Sequence, residues 1–156
     1  KYYLDAIKRD GIPYELIEKA LPTIEGEVND ILAQMVDFGI VLEMDGKNIN
    51  TYLAYDDDNV WPLELSSGME RFISSLAMRV GLINVCNLPR ANFLAIDEGF
   101  GNMDSDNLNS IYMLFQYLKS QFQFAFVVSH IESMRDTVDS LLEISKIDGF
   151  SNVDFN

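Results

Sequence analysis

The sequence predicts an α/β fold with a parallel strand-helix-strand core. Two continuous apolar runs, residues 93–96 and Phe124–Val128, have the length of buried strands. The segment between them has apolar residues at helical intervals: Leu108, Ile111, Phe115 and Leu118. Because both strands are apolar throughout, we expect them to pair in a parallel sheet that is covered on both faces.

The composition fits one domain and limits its partners. The chain has 156 residues, of which 48% are hydrophobic, so it is long enough for a core of its own. Its 11 Lys and Arg residues stand against 25 Asp and Glu residues, which gives a formal net charge of -14 at pH 7. An acidic surface repels phosphate backbones, so this chain alone is a poor candidate for the main nucleic-acid contact.

Cysteine usage and hydropathy favour an intracellular protein. The one cysteine, Cys86, excludes an internal disulfide, and its apolar helical surroundings predict a small core residue. No apolar run approaches the ~20 residues of a membrane span, and we expect no signal peptide. A reducing compartment, either the cytoplasm and nucleoid or the nucleus, fits these features. Because Lys1 falls within a helical pattern, we also expect a fragment of a longer polypeptide.

The N-terminal part of the chain has helical patterns. We expect residues 1–10 to be the end of one helix, which Gly11 and Pro13 stop. Pro13 also suits the first turn of a second helix, with Glu15 near the positive end of its dipole.

A third helix is predicted after Pro22, which we expect to break the second one. Thr23 is the candidate cap of the third helix, and Gly39 its end. Its apolar face consists of Ile24, Val28, Ile31, Leu32 and Met35.

Two strand patterns follow, over residues 40–44 and 49–55, with Asp45-Gly46 as the turn between them. The acidic residues 56–58 are either a metal site or a solvated loop, and the lack of a fixed ligand spacing favours the loop.

Residues 69–83 predict a mostly buried helix, preceded by Trp61 as a candidate packing anchor. The apolar residues at helical spacing in that helix are Met69, Phe72, Leu76, Val80 and Ile83. Near the end of the chain, residues 141–147 and 153–155 predict short strands around Gly149.

Two acidic residues follow the first strand of the predicted core. Asp97 and Glu98 come directly after residues 93–96, and Gly99 and Gly101 allow the backbone to turn. Carboxylates at the end of a buried strand are a common way to present Mg²⁺ and water to a nucleotide. An acidic surface turn is the alternative, and the motif alone leaves both interpretations open.

Two further features lie at meaningful places. The predicted buried helix is preceded by Ser66, Ser67 and Gly68. A hydroxyl and free N–H groups at a helix N-terminus suit a phosphate. An ordinary helix cap is the alternative, and it accounts for the two serines by itself. His130, the only histidine, follows the second core strand. If the two strands are neighbours, His130 lies near Asp97 at the sheet edge where ligands bind; a capping or loop histidine is the alternative.

In this order, the motifs resemble those of ATP-binding-cassette ATPase heads of the SMC and SbcC type. The matching motifs are the signature motif at Ser67-Gly68-Met69-Glu70, Walker B at Asp97-Glu98, the D-loop at Asn102-Met103-Asp104 and the switch histidine at His130. The resemblance covers about residues 60–147, and it extends less specifically to the N-terminal part. Met69 departs from the pattern, because the family usually has a second glycine there, and this puts the tightness of the phosphate contact in doubt.

The resemblance implies the C-terminal lobe of a P-loop, ABC-type ATPase head. Residues 1–38 would be a helical segment at the exit of a coiled coil, and residues 39–156 the lobe itself. The implied fold is a parallel βαβ core with an added small antiparallel strand pair and N-terminal helices. The implied cofactors are ATP and Mg²⁺.

The resemblance also implies a role for each site residue. Asp97 would hold Mg²⁺, and Glu98 and His130 would be catalytic. The signature residues would bind the nucleotide of a second head, and they are Ser67, Gly68, Met69 and Glu70. The D-loop with Asp104 would couple the two sites.

The phosphate-binding loop of such ATPases, Walker A, is absent from the sequence. No Gly-x-x-x-x-Gly-Lys-Ser/Thr occurs in the 156 residues, so we expect the chain to be inactive alone. In the family, that loop lies in an N-terminal lobe beyond a long coiled coil. The expected partners are therefore this Walker A lobe, a second head, an SbcD-type nuclease, and DNA through the assembled complex, with no membrane.

The leading interpretation is the ATPase lobe of an SbcC-like protein that acts with a nuclease in the repair of DNA double-strand breaks. An SMC-type chromosome organiser or another DNA-repair ATPase is the nearest alternative. Outside DNA repair, the nearest alternative is a transporter ATPase subunit. Such subunits usually carry the phosphate loop on the same chain, before the signature motif, and this sequence does not. A catalytically silent interaction lobe is the alternative from a different class.

Overall fold

A boundary between residues 92 and 93 divides the chain into two units, Lys1–Asn92 and Phe93–Asn156. The computed structural model describes Lys8 and residues 11–46, 48–98 and 108–155. The chain contains both helices and strands, and the second unit contains a parallel strand pair, so the predicted α/β class is confirmed. In the described part of the chain, no helix is both long enough and apolar enough to cross a bilayer.

Helix α1, Ile12–Leu32, begins where the sequence predicts. Gly11 is its N-cap residue, and the proline at position 13 and Glu15 lie in the first turn. Proline is favoured there because the first N–H groups of a helix have no partner within it, and a carboxylate is stabilised by the positive end of the dipole. The helix predicted over residues 1–10 lies almost entirely outside the described residues.

Pro22 does not break α1, so the predicted third helix with a cap at Thr23 is wrong. Proline inside a helix removes one hydrogen bond and costs ~3 kcal/mol. Burial of the apolar side of α1 offsets that cost, since each fully buried aliphatic side chain contributes ~1.5–3 kcal/mol. The buried residues are Leu21, Val28, Ile31 and Leu32. The helix also ends at Leu32, before the predicted end at Gly39.

An antiparallel sheet follows, with strands β1 (Gly39–Asp45), β2 (Asn48–Ala54) and β3 (Val60–Pro62) in that order. The first two strands and the turn at Gly46 are confirmed; Gly46 has a φ of 58°, a conformation that glycine adopts without steric cost. Strand β3 was not predicted, because its three residues are too few to show an alternating pattern.

Side chains of α1 satisfy the open edge of β1. The Asn29 amide donates to the carbonyl of Ile40 (2.9 Å), and its oxygen accepts the Ile40 N–H (2.8 Å). The Glu25 carboxylate accepts the N–H of Leu42 at 2.6 Å. An edge strand presents unpaired backbone groups, so these contacts satisfy three of them and join the helix to the sheet.

Helix α2, Gly68–Val85, packs against α1 and confirms the predicted buried helix. The two helices approach closely at Gly81, where an added Cβ would lie 2.8 Å from Cγ2 of Val28. Of the predicted apolar residues, Met69, Leu76 and Val80 are buried, whereas Phe72 and Ile83 are only half-buried.

Cys86 is exposed, so its prediction as a core residue is wrong. The residue follows the last turn of α2 as its C-cap, with extended backbone angles. Because the chain leaves the helix at this point, the apolar periodicity of α2 no longer decides which way the thiol faces.

The second unit begins with a parallel pair, β4 (Phe93–Asp97) and β5 (Phe124–Val128), joined through helix α3 (Leu108–Gln121). This confirms the predicted strand-helix-strand core. The buried residues of α3 are Ile111, Leu114, Phe115, Tyr117 and Leu118. The sequence predicts Asp104 or Ser105 as the N-cap of this helix. Both residues, and the side chain of Leu108, lie outside the described residues.

Only one face of the β4–β5 pair is covered by the described residues, which corrects the expectation of a sheet covered on both faces. Along both strands, exposed residues alternate with residues that are half-buried or buried. The exposed face carries Phe93, Phe124, Phe126 and Val128, which are between 43% and 58% exposed. The rings of Phe93 and Phe124 stack on this face with centroids 5.5 Å apart.

The chain continues through a 3₁₀ helix, Glu132–Thr137, into an antiparallel hairpin of β6 (Leu142–Ile147) and β7 (Phe150–Phe155). The strands predicted around Gly149 are confirmed, and the second is longer than predicted. Asp148 and Gly149 both have positive φ, 50° and 87°, as the tight turns of right-twisted hairpins require.

Candidate functional site

The parallel pairing brings the ends of β4 and β5 together. Asp97 is the last residue of β4 and lies opposite Val128, the last residue of β5. Glu98 follows the first strand, and His130 follows the second. Nδ1 of His130 lies 3.8 Å from Oε1 of Glu98, and both side chains are exposed. The prediction that these strand ends lie side by side is therefore confirmed.

The backbone of Glu98 is in the left-handed region, with a φ of 58°. This conformation costs a residue other than glycine ~1–2 kcal/mol, and such strain is found preferentially at functional sites. A hydrogen bond from the Glu98 N–H to the carbonyl of Val128 (2.9 Å) holds it in place. The chain therefore turns immediately after Asp97, and the turn places the Glu98 carboxylate next to His130.

The carboxylate of Asp97 suits a magnesium ion that is held mainly by other ligands. Among the described residues, no group of three or more His, Cys, Asp and Glu side chains forms a metal cluster. Mg²⁺ is commonly bound by one or two carboxylates, several waters and the phosphates of a substrate. The exposed carboxylate of Asp97 is compatible with the role of one such ligand.

The acidic loop of residues 56–58 is exposed, in agreement with a solvated loop. Asp56 accepts hydrogen bonds from the side chain of Asn59 and from the N–H groups of Asp58 and Asn59. These bonds, that of the Asn59 side chain foremost, lower the pKa of Asp56. Its carboxylate therefore organises the loop.

In the first unit, Ser67 is the N-cap of α2 and forms a reciprocal pair of hydrogen bonds with Glu70. Its Oγ accepts the Glu70 N–H at 3.3 Å, and the Glu70 Oε2 accepts the Ser67 N–H at 2.6 Å. Ser66 is buried instead, and its hydroxyl donates to the carbonyl of Leu63 at 2.7 Å. Of the two candidate serines, Ser67 is therefore the exposed cap.

Gly68 and Met69 open the first turn of α2. The side chain of Met69 is 7% exposed, so it packs into the core. Among described residues other than glycine, only Glu98 and Asp148 have positive φ, so the Met69 backbone needs no glycine. The methionine at this departure from the family pattern therefore takes the space of a core residue and does not project from the turn.

Sequence reasoning missed Tyr55, whose hydroxyl donates to Oε1 of Glu70 at 2.5 Å. This hydrogen bond is the main cause that raises the pKa of Tyr55 to about 12. Burial acts to raise the pKa of Glu70, but the bonds from Tyr55 and Ser67 outweigh it and lower that pKa. No local pattern signals this contact, because Tyr55 directly follows β2 and Glu70 lies 15 residues later, in the first turn of α2.

The described residues thus hold two groups of candidate side chains, one in each unit. Asp97, Glu98 and His130 lie together at the strand ends of the second unit. Ser67 and Glu70 lie together at the start of α2 in the first unit. The D-loop candidates Asn102, Met103 and Asp104 lie outside the described residues.

Comparisons with known proteins find relatives along nearly the whole chain. Uncharacterized protein R555 of Acanthamoeba polyphaga mimivirus is 32% identical over 98% of this chain and 12% of that protein. The DNA double-strand break repair Rad50 ATPase of Methanococcus maripaludis is 29% identical over 97% of the chain and 15% of its own length. The SbcC component of the nuclease SbcCD of Deinococcus radiodurans is 32% identical over 56% of the chain and 10% of its own length. The chain thus spans 10% to 15% of the length of these relatives.

No protein-family model matches the chain. A solved structure from work on ATP-driven dimerization and DNA-stimulated activation of SMC ATPases superimposes with a TM-score of 0.74. The superposition covers 91% of this chain and 88% of that one, at 17% sequence identity, and so shows the fold. The relatives named Rad50 and SbcC identify the chain as a C-terminal lobe of an SMC/SbcC-type ATPase head, and the superposition shows that its fold is that of an SMC ATPase head.

Proposed function

We propose that this chain supplies the C-terminal half of an SbcC-like ATPase that hydrolyses ATP between two dimerised heads in the processing of DNA double-strand breaks. The observation that carries the proposal is the approach of Glu98 and His130 at paired strand ends, with Nδ1 and Oε1 3.8 Å apart. A carboxylate and an imidazole at the carboxyl edge of a parallel sheet fit a site that acts on a bound nucleotide.

In this proposal, each side chain at the strand ends has a separate role. Glu98 orients the attacking water or accepts its proton, and His130 contacts the γ-phosphate on the same head. Asp97 would hold Mg²⁺ through water, and the ion when bound neutralises phosphate charge. The strained turn at Glu98 supports its role, since the hydrogen bond to Val128 keeps the carboxylate beside His130.

The signature turn acts on the nucleotide of the second head. The Ser67 Oγ uses a lone pair to accept the Glu70 N–H, which leaves its proton for a phosphate oxygen. Gly68 adds no side chain that would block a close approach. Within the D-loop, Asn102, Met103 and Asp104 would couple the two nucleotide sites.

The missing half of the site would come from an N-terminal Walker A lobe. The sequence has no phosphate-binding loop, and the exposed aromatic face of the β4–β5 pair supports a missing neighbour. Parallel sheets are almost always covered on both faces, so a face carrying Phe93, Phe124 and Phe126 suits burial against further structure. Residues 1–38 would then lead to the coiled coil, and residues 39–156 form the lobe.

The relative that forms part of the nuclease SbcCD supports an SbcD-type nuclease as a further partner. DNA would be contacted by the assembled complex, since the net charge of -14 disfavours direct contact by this chain. ATP would act as the link between two heads, and its hydrolysis would release them.

The proposal is tested by Glu98→Gln in a head assembled from this chain and a Walker A lobe. The amide keeps the shape of the side chain but cannot accept the proton, so we expect ATP binding to persist, turnover to fall ~10²-fold or more, and dimers to accumulate. Glu43→Gln, at an exposed position of β1, is the control and keeps normal turnover. Normal hydrolysis by Glu98→Gln would remove Glu98 as the base, and an inactive wild-type head would indicate a silent lobe.

A second variant tests whether the signature turn acts on the nucleotide of the second head or on the nucleotide of its own head. Ser67→Arg places a bulky side chain where the signature serine would meet the second nucleotide. We expect it to abolish ATP-driven dimers on a sizing column while ATP still binds to the single head. Dimers that persist in this variant would show that the turn does not act across the dimer.

A chromosome-organising SMC-type head is the second candidate, favoured by the structural match to an SMC ATPase at a TM-score of 0.74. The relatives named for double-strand break repair and for a nuclease favour the repair function. Co-purification of the complete head with an SbcD-type nuclease distinguishes the two, because an SMC head would not retain the nuclease.

A further inference from the structure

The Glu70 carboxylate is held at both of its oxygens. Oε2 accepts the N–H of Ser67 at 2.6 Å, and Oε1 accepts the hydroxyl of Tyr55 at 2.5 Å. Hydrogen bonds to a charged acceptor are the strong ones, roughly twice as strong as neutral pairs. The carboxylate therefore has a fixed place within the turn at the start of α2.

Tyr55 is itself fixed by aromatic packing. Its ring contacts those of Phe38 and Trp61, with centroid distances of 5.6 Å and 5.5 Å. Trp61 belongs to β3, and Tyr55 follows β2 directly, so the position of the hydroxyl is set by the sheet. The bond to Glu70 thus joins the antiparallel sheet to the turn that holds Ser67.

The engaged carboxylate also affects an incoming phosphate. Glu70 lies three residues after Ser67, so a free carboxylate here would repel a phosphate that approaches the serine hydroxyl. The carboxylate stays charged, but its two oxygens are fixed on the Ser67 N–H and the Tyr55 hydroxyl, so they cannot turn toward the serine hydroxyl. The same two bonds preserve the cap geometry in which the Ser67 hydroxyl proton stays available, with no acceptor for it among the described residues.

We propose that Tyr55 is a positioning residue for the signature turn: by holding Glu70, it keeps Ser67 in the conformation that receives the γ-phosphate of the second head. The inference rests on the proposed function and adds a residue outside the motifs. Tyr55 touches no nucleotide in this role, and it acts only through Glu70 and Ser67.

The test uses Tyr55→Phe in the complete head, with Tyr52→Phe, three residues earlier in β2, as the matched control. Phenylalanine keeps the ring packing and removes only the hydroxyl. For Tyr52, no hydrogen bond of the hydroxyl is found among the described residues. We expect the ATP concentration that gives half-maximal dimerisation to rise about tenfold for Tyr55→Phe, as the loss of one hydrogen bond to a charged group implies. ATP binding to a single head stays within error of wild type, whereas the urea midpoint falls, because the bond to Glu70 also stabilises the fold.

A structural measurement on the chain alone accompanies the test. Tyr55→Phe should speed hydrogen exchange of the Ser67 amide, because Glu70 is then held less firmly, and Tyr52→Phe should not. If wild-type heads dimerise and Tyr55→Phe dimerises at the same ATP concentration, the positioning role is refuted and the proposed function stands. If wild-type heads do not dimerise with ATP at all, the proposed function fails, and the role of Tyr55 fails with it.

Discussion

Substitution of Gly81 by alanine tests the close packing of α2 against α1. An alanine Cβ would lie 2.8 Å from Cγ2 of Val28. Carbon atoms pack best at about 3.5–4.0 Å, so the contact is too short by at least about 0.7 Å. The valine cannot easily turn away, because a β-branched side chain in a helix has one strongly preferred rotamer. The two helices must therefore separate locally.

The expected magnitude is the difference of two opposing effects. Overpacking a core costs ~1–3 kcal/mol, whereas alanine in place of glycine inside a helix gains ~1 kcal/mol. We therefore expect Gly81→Ala to lower the free energy of unfolding by about 1 kcal/mol. Gly26→Ala in α1 is the matched control: an added Cβ meets no atom within 4 Å, so the variant should gain ~1 kcal/mol.

Urea unfolding followed by the fluorescence of Trp61 measures both variants. Trp61 is the only tryptophan in the sequence and lies in the same unit as both glycines, so the signal reports that unit. The two variants should differ by ~2 kcal/mol, which separates their midpoints clearly. If Gly81→Ala were stabilised as much as Gly26→Ala, the close contact between the two helices at Gly81 would be refuted.

Two further predictions concern side chains of the first unit. The folded-state pKa of Glu70 is lowered, so its contribution to stability is present above its ordinary pKa of 4.5 and is lost as the pH falls through the folded value. Between pH 6 and about pH 3, the urea midpoint should therefore fall more for wild type than for Glu70→Gln, and equal falls would contradict the bonds to Tyr55 and Ser67. Cys86 is exposed, so a thiol reagent should label it fully under native conditions; labelling only in urea would show that the thiol is buried.

Local signals in the sequence predicted much of the fold. Pro13 marked the start of α1, and Gly46 and Gly149 marked turns, because each acts on the backbone of its immediate neighbours. Pro22 and Cys86 were predicted wrongly, since their outcomes depend on packing along α1 and on the place where α2 ends. At Pro22, tertiary contacts outweigh the local preference for a helix break. At Cys86, the helix has already ended, so the helical pattern no longer applies.

The candidate site divides in the same way. The apolar runs predicted that the two strand ends are adjacent, and the parallel pairing places Asp97 opposite Val128. The sequence did not predict the left-handed backbone of Glu98, since the hydrogen bond that holds it reaches a strand 30 residues away (128 − 98). Tyr55 could not be found from a motif for the same reason, because its partner lies 15 residues away in a different element.

The exposed face of β4–β5 shows that an apolar sequence pattern does not by itself indicate burial within this chain. The sequence has apolar residues on both faces of these strands, yet the described residues cover only one face. An apolar composition on both faces is expected if the exposed face is also buried in the proposed assembly. Burying the exposed parts of Phe93, Phe124, Phe126 and Val128 would contribute several kcal/mol, given ~1.5–3 kcal/mol for each full side chain. That is a large share of the ~5–15 kcal/mol by which a domain is stable, so in the proposed assembly the union of the two lobes would stabilise the fold as well as complete the catalytic site.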